Sequence, residues 1–421
     1  MSDRYPCGSL KRRGFLGAAA SWPFAASLLS SSSSSAADEA QSRVVGSASH
    51  HGPKVDALGK FAAPGLYPGR VVEVKNPAMI RNGARSREAV KATLDRGLKE
   101  LTGAGDATAA WRTFFEPGDV VGIKVVPNGQ PYAHSSFELV LETIEGLKAA
   151  GVKPGDIFVY DRYRQELLAA GYDKILPAGI RFGGLTADGG DQLALDFEGF
   201  RDDPIAGYDR DAFVWMDLVN YGDNPKDDRA YRSHLGKFVT KVVNKIVAIP
   251  VLKDHGSAGV TGALKNMSHG SVNNVARSHT NTFTNVCNQF IPQVVTHPVI
   301  RSKFVLQIMD GIRGVYQGGP FAHAHENGKW TWEYNGLLLA TDPVALDHIE
   351  WGIIDAKRAL AKLPPVAASG KSALDPLGTE GFDVRQPQHI ALAGALGMGN
   401  FDLTSSPRGR RYLVKHSVVN L

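Results

Sequence analysis

The chain has 421 residues, 43% of them hydrophobic, and its 47 Lys and Arg against 42 Asp and Glu give a formal charge of +5. Two cysteines, Cys7 and Cys287, exclude a disulfide framework and a cysteine-ligated iron–sulfur cluster. The first 37 residues hold four bases and one acid, so the rest is close to neutral, and no basic run with interleaved aromatics points to nucleic acid.

Residues 1–37 read as a targeting leader: Lys11-Arg12-Arg13-Gly14-Phe15-Leu16, an apolar stretch from Gly17 to Leu29, a serine run, and Ser35-Ala36-Ala37 as a small-residue cleavage site. The twin arginine before Phe15 and Leu16 resembles a Tat signal, with Lys11 standing where Ser or Thr is usual. The apolar part is short for a bilayer span and contains Pro23. The expectation is therefore a periplasmic or extracellular protein delivered by the Tat machinery, with no permanent membrane anchor. Tat carries folded proteins, often with a cofactor already bound, although cofactor-free proteins take the same route. Residues 38–68, rich in Ser, Ala, Gly and Pro, read as a flexible linker in which His50-His51 is incidental.

Arg70-Val71-Val72-Glu73-Val74 is a short strand pattern, and Val90, Leu94, Leu98 and Leu101 lie at helical spacing. Residues 106–115 read as a second helix, broken by Pro117-Gly118, and residues 119–126 as the next strand. Ser135 and Glu138 form a capping-box start for a helix with Phe137, Val140, Leu141, Ile144 and Leu147 inward and a stop at Gly151. Residues 156–160 are again a strand. Strand, helix, strand in this order make a βαβ unit with parallel strands. Lys124, Asn128, His134, Asp161 and Arg162 then fall at or just past the carboxyl ends of neighbouring strands, where open α/β sheets hold ligands. The competing reading of Lys124 is a strand lysine snorkelling to solvent. No G-x-G-x-x-G or P-loop pattern occurs, so neither standard nucleotide site is expected. Residues 180–235 read as an irregular or β excursion whose Asp223, Asp227 and Asp228 fit a solvated face better than a calcium loop.

The densest stretch runs from Lys245 to His279. Residues 246–251 have the β-branched content of a strand buried on both faces. Lys253, Asp254 and His255 should come after its end, in a loop where Gly256, Gly259 and Gly262 let the backbone approach a ligand and which ends in Lys265-Asn266. His269, Asn273, Asn274 and His279 add donors and metal-capable nitrogens. An ordinary glycine-rich surface turn is the bland alternative; the crowding of His and Lys favours a site. Beyond it, residues 304–309 are a strand delivering Asp310-Gly311, and His323 and His325 either share a metal or are simply exposed. Asp342 with Pro343 reads as a helix cap, Asp347 as a candidate catalyst with no evident structural duty, and residues 389–393 as a last strand.

Residues 250–270, PVLKDHGSAGVTGALKNMSHG, resemble the signature of the family called domain of unknown function 362. So do Val120-Gly-Ile-Lys124-Val-Val-Pro127-Asn128, Asp310-Gly-Ile-Arg-Gly314 with Gly318-Gly319-Pro320, and Ala340-Thr-Asp342-Pro343-Val-Ala-Leu-Asp347. Relatives in that family often carry ferredoxin-like iron–sulfur segments, which this chain lacks, so an electron-transfer role implies a separate partner protein. The run His255-Gly-Ser-Ala-Gly259-Val-Thr-Gly262-Ala-Leu-Lys265 is also similar to the nickel-pincer lactate racemase family. That resemblance implies Lys265 as the attachment point of a pincer nucleotide, His255 as general acid/base and His279 as a nickel ligand. The gap from Lys265 to His279 is shorter than in that family, and Asp161-Arg162-Tyr163 stands where its second catalytic His would be.

The combined expectation is an α/β protein with two lobes, residues 69–234 and 235–421, around mainly parallel sheets, with a ligand cleft at the carboxyl ends of the strands. His255, Lys265, Lys124 and Asp161 are the expected catalytic residues; Lys265, Asn266, Gly259, Gly262 and Asn128 the cofactor-binding ones; His279 and His269 the metal ligands. The activity expected is redox or proton-transfer chemistry on a small polar substrate with a metal or a nickel-pincer-like nucleotide. The alternative is a ligand-binding or accessory protein without turnover.

Overall fold

The computed structural model describes residues 48–53, 58–186, 205–216, 231–275, 278, 287–321, 328–368, 387–401 and 414–421. The leader, Asp223, Asp227, Asp228, His279, His323 and His325 lie outside the described residues. Fifteen strands are present among them: β1 Ala48–His51, β2 Arg70–Lys75, β3 Ile80–Arg81, β4 Ala84–Arg85, β5 Val121–Lys124, β6 Ile157–Tyr163, β7 Arg181–Thr186, β8 Tyr208–Met216, β9 Arg232–Gly236, β10 Lys245–Ala248, β11 Val251–His255, β12 Gly259–Val260, β13 Phe304–Val315, β14 Thr331–Ala340 and β15 Lys415–Asn420. The α-helices are α1 Arg87–Thr102, α2 Ala107–Arg112, α3 Phe137–Ala150, α4 Arg164–Ala170, α5 Tyr172–Ile175, α6 Gly262–His269, α7 Cys287–Val295, α8 Pro298–Lys303, α9 Pro343–Leu360 and α10 Gln388–Ala395.

One large sheet runs in the order β15-β2-β14-β13-β10-β5-β6-β7. From β13 through β7 every neighbouring pair is parallel, as is β15 with β2, while β2, β14 and β13 pair antiparallel. This is the mainly parallel α/β architecture expected from the strand-helix-strand order. Side chains alternate across the sheet, so neighbouring residues enter different cores. Ile246 and Ala248 pack on one face with Phe158 and Tyr160, and Val247 on the other with Ile157 and Val159. Helices α1, α2 and α3 cover the second face, and Gly146 of α3 leaves the room that Trp111 of α2 fills, an added Cβ lying 2.1 Å from its ring.

The sheet takes strands from both sides of the boundary expected at 234/235, since β5 pairs with β10. Residues 45–421 form one compact unit. Within the segment read as linker, β1 pairs antiparallel with β8, and Ala62 and Ala63 are buried. Residues 389–393 are helical, not a strand: His389, Ile390 and Ala393 are buried, the spacing of one helix face, and five residues are too few for periodicity to show. The cap of α3 is Ser136, without a side-chain bond, because the Ser135 hydroxyl is used elsewhere: it accepts from Val126 N at 2.8 Å and donates to Ile249 O at 2.6 Å.

Candidate functional site

Strand β10 ends at Ala248, and after Ile249-Pro250 the chain resumes as β11, which carries Lys253, Asp254 and His255 inside a strand rather than after one. The glycines beyond it do not form an open loop. Gly259 and Gly262 have φ of +81° and +54°, and an added Cβ would lie 2.9 Å from Pro387 and 2.3 Å from the Asp347 carboxylate. Their backbone freedom serves packing against the protein itself. Helix α6 begins at Gly262, so Lys265, Asn266 and His269 project from a helix. Asp347, expected as a catalyst, accepts from Ala263 N at 2.6 Å and Leu264 N at 2.9 Å and so caps that helix from α9. Asp342 is the N-cap of α9, as expected.

The carboxyl ends of β5, β6 and β11, together with α6, enclose a cavity of about 430 Å³. Lys124, Asn128, Asp161, Arg162, Lys253, His255, Lys265, Asn266 and His269 all line it, as do Glu166 and Gly319-Pro320-Phe321. Gly259 and Gly262 do not. A wider depression over α2 is shallow and has no converging buried polar groups.

The three lysines of the wall differ in what they touch. Lys124, 2% exposed, spends all three N–H donors on Asp161 Oδ1, Asn266 Oδ1 at 2.8 Å and Val125 O at 2.7 Å. It ties β5, β6 and α6 together and has no proton donor left for a ligand; Gly270 makes room for it, since an added Cβ would lie 2.1 Å from Lys124 Cε. Asp161 is correspondingly taken up as its counter-ion. Lys253 donates to Asn128 Oδ1 at 2.7 Å and Pro320 O at 3.3 Å, and burial with the nearby Lys265 lowers its pKa to about 7. Lys265 makes no hydrogen bond through its amine among the described residues, and burial lowers its pKa to about 8. Glu166, in the first turn of α4, likewise has no side-chain hydrogen bond there, and burial with Asp161 nearby raises it to about 7. A strand read as ending at residue 160 hides this residue; its signal is a carboxylate one short step past a strand's carboxyl end.

The histidines sort by their nitrogens. His255 Nδ1 accepts from Ser257 N at 3.0 Å and Ala258 N at 3.1 Å, which places the proton of the neutral ring on Nε2. It is thus a donor, not a base. His269 bonds through Nδ1 to the Ser268 hydroxyl at 2.9 Å and through Nε2 to the Ser278 hydroxyl at 2.8 Å, so the expected metal ligand has both nitrogens occupied. Among the described residues no group of three or more His, Cys, Asp or Glu is placed to hold a metal. His134 lies outside the cavity, edge-on to Phe137 and Tyr172 at 5.1 and 6.4 Å between ring centroids. The loop at Gly318-Gly319-Pro320 closes the rim: Gly319 N donates to Asp254 Oδ1 at 2.8 Å, and an added Cβ there would lie 1.9 Å from Asp254 O.

Fold and site together define an α/β protein with a polar, lysine-lined cavity at the carboxyl ends of parallel strands. Residues 212–351 match the family described as Domain of unknown function (DUF362). No curated protein matches it. A crystal structure of a Thermotoga maritima protein aligns at 13% identity with a TM-score of 0.28 over 56% of this chain and 52% of that one, so the chain spans about half the length of that protein.

Proposed function

We propose that this cavity is the active site of an enzyme that moves a proton on a small, anionic, polar substrate. The observation that carries the reading is the convergence of Glu166, Lys253 and Lys265 on one cavity, two of them with no hydrogen-bond partner among the described residues. A carboxylate poised near pH 7 can take a proton from carbon, and two buried cations stabilise the charge that develops. Small carboxylic acids with an α-hydrogen, incubated with the protein in deuterium oxide and followed by proton NMR, test this. Exchange should appear and fall at least ~100-fold in Glu166→Gln. Binding by calorimetry with no exchange would instead assign a ligand-binding protein without turnover.

A second reading, a pincer-type nucleotide on Lys265, is favoured by that amine's lack of a partner among the described residues. Lys265 fits the attachment, while His269 has no nitrogen to spare for nickel; His279, the nickel ligand the resemblance implies, lies outside the described residues. Intact mass with elemental analysis tests it: an adduct on Lys265 with bound nickel supports it, and an unmodified chain removes it. Export through the Tat route rests on Arg12-Arg13 and the apolar stretch after them. Fractionation of wild type and an Arg12→Lys/Arg13→Lys variant, with the wild type periplasmic and the variant retained in the cytoplasm, checks it. Among the described residues no helix is long and apolar enough to cross a membrane.

A further inference from the structure

We infer that Lys265 is a nucleophile that forms an imine with the carbonyl of a small 2-oxo acid, whose carboxylate is received by Lys253. The proton step after the imine rests on the proton-transfer reading, and the imine itself on the contrast among the wall's lysines. Lys124 has three acceptors for three donors, and its nitrogen is closed. Lys253 has two acceptors and one donor left over for a substrate carboxylate, whose negative charge would restore the proton that burial and the nearby Lys265 make the free amine lose near pH 7. Lys265 lines the same cavity with no acceptor among the described residues, so its nitrogen can approach a substrate carbon. Burial with Arg162 and Lys124 nearby also keeps part of its amine unprotonated at neutral pH, as a nucleophile must be.

The step balances without a further reagent. The Lys265 nitrogen attacks the carbonyl carbon and the C–O bond breaks. An ammonium and a carbonyl give an iminium and water, two N–H hydrogens leaving with the oxygen. The iminium then acidifies the adjacent C–H, where Glu166 takes the proton. The anchored carboxylate gives Lys253 a counter-charge against the burial and the nearby Lys265 that lower it.

Full-length protein is incubated with pyruvate and cyanoborohydride at pH 7, and the reduced adducts are located by peptide mass spectrometry. A carboxyethyl group on Lys265 at least ~10-fold above the mean of the exposed lysines is the expected result. It should be absent from Lys265→Arg, with the other lysines labelled as before. A pH series on the wild type needs no variant: labelling of Lys265 should reach half its maximum near pH 8, while exposed lysines still rise at about pH 10. Labelling of Lys265 no greater than that of exposed lysines, adducts on Lys253 instead, or a group already on Lys265 in the purified protein each overturns the inference. Deuterium exchange without trapping removes the imine and leaves the proton-transfer reading; trapping without exchange removes the latter and leaves the imine.

Discussion

His134 should make this protein sensitive to acid, and His134→Phe should relieve it. The ring is 6% exposed, neither nitrogen has a hydrogen-bond partner among the described residues, and Phe137 and Tyr172 pack edge-on against it. Burial, with Arg85 adding to it, lowers its pKa from 6.5 to about 3. The unfolded chain therefore binds this proton more readily than the folded one, and stability is lost as pH falls through 6.5 toward 3. At pH 5 the difference amounts to about 2 kcal/mol, from roughly 1.5 pH units at 1.36 kcal/mol each, against about 0.2 kcal/mol at pH 7. The assay is urea unfolding of wild type and His134→Phe at both values. Any packing cost of the larger ring appears equally at the two and cancels. The variant should lose about 2 kcal/mol less than the wild type between pH 7 and pH 5. Equal losses would mean that His134 is not held neutral and would refute the reasoning.

Two further substitutions probe the wall of the cavity. Lys124→Met should destabilise by about 3–5 kcal/mol, because it leaves Asp161 buried without its counter-ion, and Lys124→Met/Asp161→Leu should recover much of that in the same urea titration. Gly270→Ala should cost about 1–3 kcal/mol, since the new methyl group meets Lys124 Cε and Asn266 O, and the lower melting temperature should come with weaker binding of any cavity ligand.

The parts of this architecture legible in the sequence are those with a long period or a strong punctuation mark. The α1 and α3 stripes, the glycines that end them and the βαβ unit are of this kind. The crowding of Lys and His from 245 to 279 marks the cavity, and most residues named from it and from the ends of β5 and β6 do line one space. What stays hidden depends on partners distant in sequence. Gly262 looks like a ligand loop until Asp347, 84 residues from Ala263, is seen beneath it. Lys124 looks like a catalyst until Asn266, 142 residues away, takes its third proton. Glu166 has no motif at all; its environment is made by burial and by charges on other strands.

The continuity of the sheet bears on how the protein can be divided. The segment that carries the family match, residues 212–351, contains β10, β11, α6 and the Gly319 rim but neither β5 nor β6. Expressed alone it would lack Lys124, Asn128, Asp161, Arg162, Tyr163 and Glu166, about half of the cavity's polar wall. It would also strip β10 of one neighbour, exposing the unpaired edge of Lys245–Ala248, every residue of which is buried in the intact fold. Such an open apolar edge is a template for other chains. The unit fit for isolation is set by strand pairing rather than by the limits of sequence similarity.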